Sequence, residues 1–277
     1  MEISALQVKA FRDKTGLPMM ECKKALVEAG GDEDKAIEIL RKSGAKTMAG
    51  RADRETEAGR IAIYTNKTKN ITAMVELLCE SAPVSNTDEF VSLTNALAEQ
   101  LATGNGAKTA DDLLAQPFPN KPNVTLKHVY DELVNKIREV FKLSRFVVVE
   151  GNAGSYLHHN AAVGVILPID GANVELARDI CMHVASMKPQ ALRREDLDKA
   201  VVDKEREIII AQVKQQNANK PDNIIQKIVD GKMNAFLSEH ALLAQPFVKD
   251  SAKTVEQVCK EGNITIKEMI HWELGKK

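Results

Sequence analysis

Residues 60–78 have the sequence RIAIYTNKTKNITAMVELL, and this stretch indicates the fold class of the chain. Two runs of apolar and β-branched residues flank a polar segment at residues 66–70, which is typical of two antiparallel strands joined by a turn. A helical pattern, DEFVSLTNALAEQLA, follows. The same order recurs later: GSYLHHNAAVGVILPI predicts two strands around a His-Asn turn, and NVELARDICMHVASM predicts a helix. We therefore predict an α+β fold with antiparallel sheets, built on a duplicated hairpin-helix unit.

The N-terminal part of the chain predicts three short helices around a small apolar core. The first covers residues 4–14, the second opens at Pro18, and the third covers residues 32–44 and stops at Gly44. A bundle of this size is marginally stable by itself and usually serves as a docking module. We therefore assign residues 1–45 to a partner-docking module. Residues 46–58 are charged and are interpreted as a linker that becomes helical on contact.

The rest of the chain predicts two core subdomains, residues 59–142 and residues 143–277. Between the two hairpin-helix units lie a Pro- and Asn-rich loop, QPFPNKPN, and the helix LKHVYDELVNKIREVF. The segment RFVVVEG is predicted to be a third strand of the second unit. The tail, TVEQVCKEGNITIKEMIHWELG, predicts a helix followed by a final strand.

Residues 196–239, inside the second subdomain, predict a helical hairpin whose two arms each carry an Ile-rich apolar seam. Two explanations of these seams stay open. Either the arms pack on each other, or the hairpin is an assembly surface that forms a homodimer.

Composition argues against several classes of protein. The 277 residues carry a net charge of −1 and 4% aromatic side chains, which does not favour a nucleic-acid-binding protein. The four cysteines lie far apart with no CxxC pair, as expected of reduced thiols in a cytosolic protein. The chain has no signal-peptide pattern and no apolar run near the ~18 residues of a membrane span. We expect a cytoplasmic protein without nucleic-acid or membrane partners.

Patterns of catalytic and cofactor sites are missing from the sequence. It contains no GxxxxGK[ST] phosphate loop, no HExxH and no GxSxG. The pair His158-His159 has no further ligand at helical spacing, so a solvated turn or a partner contact explains it better than a metal site. His183 is interpreted as a hydrogen-bonded core histidine. We therefore predict a binding protein with no catalytic residues, no metal and no cofactor, and not an enzyme.

Several blocks closely resemble bacterial translation elongation factor Ts, in the same order and over nearly the whole chain: KTGLPMMECKKALVEAGGDEDKAIEILRKSG, GSYLHH, MHVASMKP, KEREI and NIIQKIVDGKMNAFLSEHALLAQPFVKD. The resemblance implies a guanine-nucleotide exchange factor that binds elongation factor Tu, GDP-bound and nucleotide-free, and promotes GDP release. It also implies an N-terminal module like ubiquitin-associated (UBA) domains, two α+β core subdomains and a hairpin used in dimerisation. The alternatives are a chaperone-like partner of elongation factor Tu that does not exchange its nucleotide and an enzyme with an unrecognised site.

The resemblance assigns partner contacts to particular residues of the N-terminal module. Arg12, Met19, Met20 and Lys23 match family positions near the nucleotide domain of the partner. An exposed methionine flanked by cations suits an apolar notch with an acidic rim.

A second set of contacts is implied for the His158 turn. His158 matches a family histidine that contacts the partner, whereas His159 has no counterpart and is predicted to be neutral. Asn160-Ala161-Ala162 follows where many family members have Gly-Gly-Arg.

The chain departs from the family pattern after Cys79-Glu80. Family members usually have Thr-Asp-Phe-Val there, and the Asp and Phe push into the partner near its magnesium and phosphates. This chain has Ser81, Ala82, Pro83 and Val84, which we assign to partner binding by shape, because the loop has neither the carboxylate nor the ring. Pro83 restricts its own φ and the residue before it, so we predict a stiff, extended loop.

Overall fold

The computed structural model describes residues 3–51, 53–217 and 221–276, without the side chains of residues 45–49. The α-helices are α1 (Ala5–Thr15), α2 (Met19–Glu28), α3 (Glu33–Ala49), α4 (Ala82–Ser85), α5 (Asp88–Thr103), α6 (Ala110–Leu114), α7 (Leu126–Ile137), α8 (Val174–Met187), α9 (Lys199–Gln216), α10 (Asp222–His240) and α11 (Val255–Glu261). The strands are β1 (Ala58–Asn66), β2 (Ile71–Cys79), β3 (Pro117–Phe118), β4 (Lys121–Thr125), β5 (Lys142–Glu150), β6 (Ala153–Leu157), β7 (Val163–Asp170), β8 (Pro246–Phe247), β9 (Asp250–Thr254), β10 (Thr265–Ile266) and β11 (Ile270–Glu273). Short 3₁₀ helices occupy Arg194–Asp196 and Leu242–Ala244. Helices combined with antiparallel sheets confirm the α+β prediction.

The chain forms two compact units. The first holds the residues up to Val148 together with His159–Ala162 and the residues from Glu273 onward. The second holds Val149–His158 and Val163–Trp272. Each unit buries its own apolar cluster, around α5 in the first and around α8 in the second.

The three predicted N-terminal helices are present as α1, α2 and α3. A capping box between Ser4 and Gln7 starts α1, and Gly16 ends it at φ 70. The prediction that Gly44 stops the third helix is wrong, because α3 continues to Ala49. A Cβ at Gly44 would overlap the carboxamide of Asn135 on α7, so this glycine permits a close approach of two helices instead of ending one.

The first sheet has the strand order β1-β2-β5. β1 and β2 pair in the predicted hairpin, from Ala58 opposite Cys79 to Asn66 opposite Ile71. The prediction that RFVVVEG belongs to the second unit's sheet is wrong, since β5 is the third strand of this one. Glu76 on β2 is 2% exposed, and Arg145 on β5 donates to both of its oxygens at 3.0 and 2.9 Å. A buried carboxylate needs such a partner, which explains the pairing.

The second sheet contains the other predicted hairpin, with β6 and β7 paired from Ala153–Pro168 to Leu157–Gly164. A Cβ at Gly154 would overlap the backbone of Ala177, so α8 lies close over β6. The tail forms two short strands, β10 and β11, on either side of β7, where the sequence predicted a single final strand.

The predicted helical hairpin consists of α9 and α10. Ile209 and Val213 on α9 pack against Val229 and Met233 on α10, so the arms do pack on each other. Part of the apolar surface is left over: the exposed residues are Val201, Ile208 and Ile224.

A six-residue segment, LLAQPF, occurs at residues 113–118 and again at residues 242–247. Each copy leads into a short hairpin, β3–β4 or β8–β9, with a register irregularity after its proline. Each hairpin then leads into a helix, α7 or α11. The prediction that QPFPNKPN is only a loop is therefore wrong, and the repeated segment was the signal for these strands.

Candidate partner-binding surfaces

Arg12, Met19, Met20 and Lys23, which we call the N-terminal face, are all exposed. Met20 is 63% exposed, although its neighbour Cys22 is buried. The Cys22 thiol lies 3.4 Å from the Thr15 hydroxyl and donates to the Leu17 carbonyl, which fixes the turn between α1 and α2. The buried residues of α2 are Cys22, Ala25 and Leu26, whereas Met19 and Met20 face solvent. Methionine side chains adapt readily to the shape of a binding partner.

Residues 81–84 do not form the predicted extended loop. Ser81 is extended, at φ −129 and ψ 145, but the chain turns into the single helical turn α4 directly after it. Pro83 lies in the first turn, where its missing N–H and fixed φ suit a helix, and this is why the extended prediction is wrong. Ala82 and Pro83 are exposed at the tip, and Val84 is half-buried.

Ser81 is bound at both its backbone and its side chain. Its N–H donates to Glu139 Oε2 at 3.0 Å, and its hydroxyl donates to Glu139 Oε1 at 2.5 Å. The buried Cys79 thiol donates to the Ser81 carbonyl at 3.3 Å, and burial raises the pKa of that thiol to about 11. Cys79 therefore stays protonated at neutral pH and acts as a hydrogen-bond donor, not as a nucleophile.

Glu80, the residue before Ser81, is also fixed by hydrogen bonds. Its Oε1 accepts from the Val140 N–H at 2.8 Å, and its Oε2 accepts from Arg54 at 2.9 Å. The Val140 hydrogen bond, followed by the Arg54 contact, keeps the pKa of Glu80 below its ordinary value. The chain entering α4 is thus fixed by two consecutive residues, Ser81 and Glu80.

His158 lies at the end of the β6–β7 hairpin. Its N–H donates to the Val163 carbonyl at 2.9 Å, and its Nδ1 lies 2.9 Å from the Tyr156 hydroxyl. The ring is half-buried, whereas His159 is exposed. His158 belongs to the second unit, while the N-terminal face and residues 81–84 belong to the first.

His183 is a hydrogen-bonded core histidine, as predicted. It is fully buried, its Nε2 lies 2.8 Å from Gln245 Oε1, and its Nδ1 accepts from the Val248 N–H at 3.2 Å. Burial lowers its pKa, so the ring is neutral at physiological pH. In the described part of the chain, no three His, Cys, Asp or Glu residues are grouped so as to hold a metal ion. No helix among the described residues is long and apolar enough to cross a membrane.

The sequence does not mark Arg138 and Glu139 as functional residues, although Arg138 contacts α2 next to the N-terminal face and Glu139 contacts Ser81. Glu139 and Ser81 are 58 positions apart. Arg138 pairs with Glu21, at a separation of 117 positions. No local pattern marks such contacts, since both residues follow α7 in an ordinary charged helix end.

Comparison with known proteins gives one family. Residues 80–276 match the family described as Elongation factor TS. The chain is 41% identical over 264 residues to elongation factor Ts of Thiobacillus denitrificans, which covers 95% of this chain and 88% of that protein. It is 36% identical over 276 residues to elongation factor Ts of Hydrogenobaculum sp., covering 99% of this chain and 100% of that protein. Similarity at this level over the whole length shows that the chain belongs to the elongation factor Ts family, a family of translation elongation factors in protein biosynthesis.

Proposed function

We propose that this chain binds elongation factor Tu, GDP-bound and nucleotide-free, and promotes the release of GDP. The observation that carries the proposal is the full-length similarity to elongation factors Ts. The exposed side chains of the N-terminal face, at positions that the resemblance assigns to binding, support it. The chain itself transforms no substrate, so it is an exchange factor and not an enzyme in the usual sense. We place its action in the cytoplasm, where translation elongation takes place.

Exchange needs only differential binding. A factor that holds the nucleotide-free partner more tightly than the GDP-bound partner weakens GDP binding by the same factor, because the two equilibria are linked. A ~1000-fold gain in GDP release corresponds to ~4 kcal/mol of such differential binding. The N-terminal face would supply part of it, with Met19 and Met20 entering an apolar notch and Arg12 and Lys23 meeting an acidic rim.

The α4 turn would act on the magnesium and phosphate side of the partner. Ala82 and Pro83 supply no carboxylate or ring, so the turn acts by shape. The turn is already ordered by Ser81 and Glu80 in the free chain, and little binding energy is spent on ordering it. We propose that His158 adds a contact from the second unit.

The finer organisation is part of the proposal. Residues 1–45 would form a UBA-like docking module, and residues 46–58 a linker whose first residues continue α3 to Ala49. Residues 59–142 and 143–277 are the bounds expected from the sequence for two duplicated subdomains, and the boundary between them moves to Val148, because β5 belongs to the first sheet. The LLAQPF segments and the hairpins that follow them support the duplication. A homodimer through α9 and α10 stays an alternative role of the exposed seam residues.

The test is release of fluorescent GDP from the cognate elongation factor Tu in stopped flow. We expect the observed rate to rise with factor concentration and to saturate. Complex formation without faster release would instead support the non-exchanging, chaperone-like alternative, and turnover of a substrate without the partner would support an enzyme.

A further inference from the structure

We infer that Arg138 and Glu139, directly after α7, form a brace that holds the N-terminal face and the α4 turn in a fixed relation, so that both meet a partner as one surface. The inference rests on the proposed function and extends it to residues that are positioning residues, not partner contacts. Both sides of the brace lie in the first unit.

One side of the brace reaches the N-terminal helices. The Arg138 guanidinium pairs with the carboxylate of Glu21 on α2, the residue after Met20. The Arg138 carbonyl accepts from Arg51 at 2.9 Å, so the chain following α3 is fixed to the same residue. Arg138 is 31% exposed and Glu21 38%, which shields the pair more than a fully exposed surface ion pair.

The other side reaches the α4 turn. Glu139 accepts both hydrogen bonds from Ser81, and the next residue, Val140, donates to Glu80. Three consecutive residues therefore bind α2 in one direction and the start of α4 in the other. Charge-assisted bonds of this kind are the stronger class of hydrogen bond.

The backbone conformation of Arg138 lets neighbouring side chains of the brace contact different elements. Arg138 caps α7 in the left-handed region at φ 65, and its N–H donates to the Val134 carbonyl at 2.8 Å. A non-glycine residue in this conformation costs about 1 kcal/mol and persists only where its surroundings hold it. The conformation turns the chain sharply, so that successive side chains 138 and 139 serve two different elements.

A fixed relation matters because the partner must be contacted at two places. Once the N-terminal face is bound, the α4 turn engages in an intramolecular step whose effective concentration depends on the stiffness of the connection. Two further contacts support the stiffness: Arg41 on α3 pairs with Glu132 on α7 at 2.9 Å, and Gly44 lies against Asn135.

The test uses Arg138→Asn in the full chain, because asparagine tolerates positive φ and keeps the cap while removing the guanidinium. We expect release of fluorescent GDP from elongation factor Tu, at factor concentrations below saturation, to slow about fivefold, which is about 1 kcal/mol. The double variant Glu21→Arg with Arg138→Glu restores the pair in reverse and should recover most of the rate. Asp131→Asn is the matched control, since it breaks an ion pair with Lys127 on the same helix without touching α2 or α4.

Hydrogen exchange of the free chain provides a readout that needs no partner. Arg138→Asn should speed amide exchange both in α2 and at residues 81–87, and the reversed pair should return both to wild-type protection. If the wild-type chain does not speed the release of GDP from elongation factor Tu, the proposed function is wrong. The hydrogen-exchange measurement on the free chain still tests the brace in that case. Unchanged exchange at residues 81–87 in Arg138→Asn, or a loss of release that the reversed pair does not repair, would overturn the inference.

Discussion

The two LLAQPF segments have identical sequences but different polar partners. In the second unit, Gln245 is 2% exposed, and its Oε1 lies 2.8 Å from His183 of α8. In the first unit, Gln116 is half-buried, and its Oε1 accepts from Gln100 of α5 at 3.0 Å. Both glutamines donate to a backbone carbonyl at 2.6 Å, of Glu239 and of Gly106 respectively. The glutamine side chain of the repeated segment therefore pairs with a neutral amide in the first unit and with a titratable imidazole in the second.

The backbone and the side chain of the repeated glutamine have different roles. The carbonyls of Gln116 and Gln245 accept the first N–H of α7 and of α11, at 2.9 and 3.0 Å. These backbone bonds need the glutamine's position but not its side chain. The side chain has the separate task of joining the hairpin to the preceding long helix, and the depth of burial decides how much that task contributes.

The largest expected effect tests this difference in burial. Gln245→Leu leaves the buried His183 N–H and the part-buried Glu239 carbonyl without their partner, and should cost about 2–4 kcal/mol of unfolding free energy. Gln116→Leu should cost about 1 kcal/mol, since water can replace its bonds. Urea unfolding followed by the single tryptophan, Trp272, measures the first, and far-ultraviolet circular dichroism measures both. If both variants lose the same unfolding free energy, the difference in burial between Gln245 and Gln116 does not determine what their side chains contribute.

The second prediction compares the two units in partner binding. Met20→Ala, in the first unit, should weaken the complex with elongation factor Tu by ~1–3 kcal/mol in calorimetric titration, with little change in thermal stability, because the side chain is 63% exposed. His158→Ala, in the second unit, should cost about 1 kcal/mol or less, and His159→Ala should be neutral. A larger effect at His159 than at His158 means that the family match of this turn is wrong. A parallel loss of stability and binding in Met20→Ala would make that residue structural.

The third prediction concerns pH. Burial lowers the pKa of His183 in the folded state, so the unfolded chain binds the proton more readily. The neutral ring therefore contributes its full stability above about pH 6.5, the ordinary histidine pKa, and that stability is lost as the pH falls below this value toward the lowered folded pKa. Protonation at Nδ1 also removes the acceptor of the Val248 N–H.

His183→Gln places an amide opposite Gln245, as Gln100 lies opposite Gln116 in the first unit. The free energy of unfolding of this variant should fall less between pH 7.5 and pH 5 than that of the wild type. The measurement is the urea midpoint across that range for the wild type and the variant, with His159→Ala as a control for an exposed histidine. Parallel pH profiles of the wild type and His183→Gln would show that the imidazole is not the source of the acid sensitivity.

The fold was largely predictable where the pattern is local. The hairpin at residues 60–78, the helix α5 and the arms α9 and α10 follow from alternation and helical spacing, and the structure has them near the predicted bounds. Predictions from local sequence patterns were wrong where a residue contacts another that is distant in sequence. Gly44 resembles a helix stop, but α3 continues through it and Asn135 of α7 lies against it. RFVVVEG lies in the first sheet, where Arg145 pairs with Glu76, a residue 69 positions away.

The candidate site was predictable in part for the same reason. The family resemblance gave the N-terminal face and residues 81–84, and the exposure of Met20 and Pro83 agrees with a surface role. It did not give the shape of the loop, because Pro83 fits an extended chain and a first helical turn equally well. It did not give Arg138 and Glu139 at all, since a brace between elements so far apart in sequence has no periodic signature.

The smallest expected effect compares the turns of the two strand hairpins. Asn70 ends the β1–β2 turn at φ 54, and Ala161 has the same φ 54 in the turn after His158. Asparagine tolerates this left-handed conformation, whereas alanine is strained by its Cβ. Ala161 is 1% exposed, and its carbonyl accepts from the Ile61 N–H at 2.8 Å within the first unit, so the conformation is held in place.

Ala161→Gly should therefore stabilise the chain by about 0.5–1 kcal/mol, because relief of the left-handed strain exceeds the extra entropy that glycine gives to the unfolded state. Ala162→Gly is the matched control, since Ala162 is not among the described residues with positive φ and should lose a similar amount. Thermal unfolding of both variants measures the two shifts, which should have opposite signs. Destabilisation by both would mean that the buried methyl of Ala161 contributes more by packing than its backbone costs, and the two turns would then differ in their packing and not in strain.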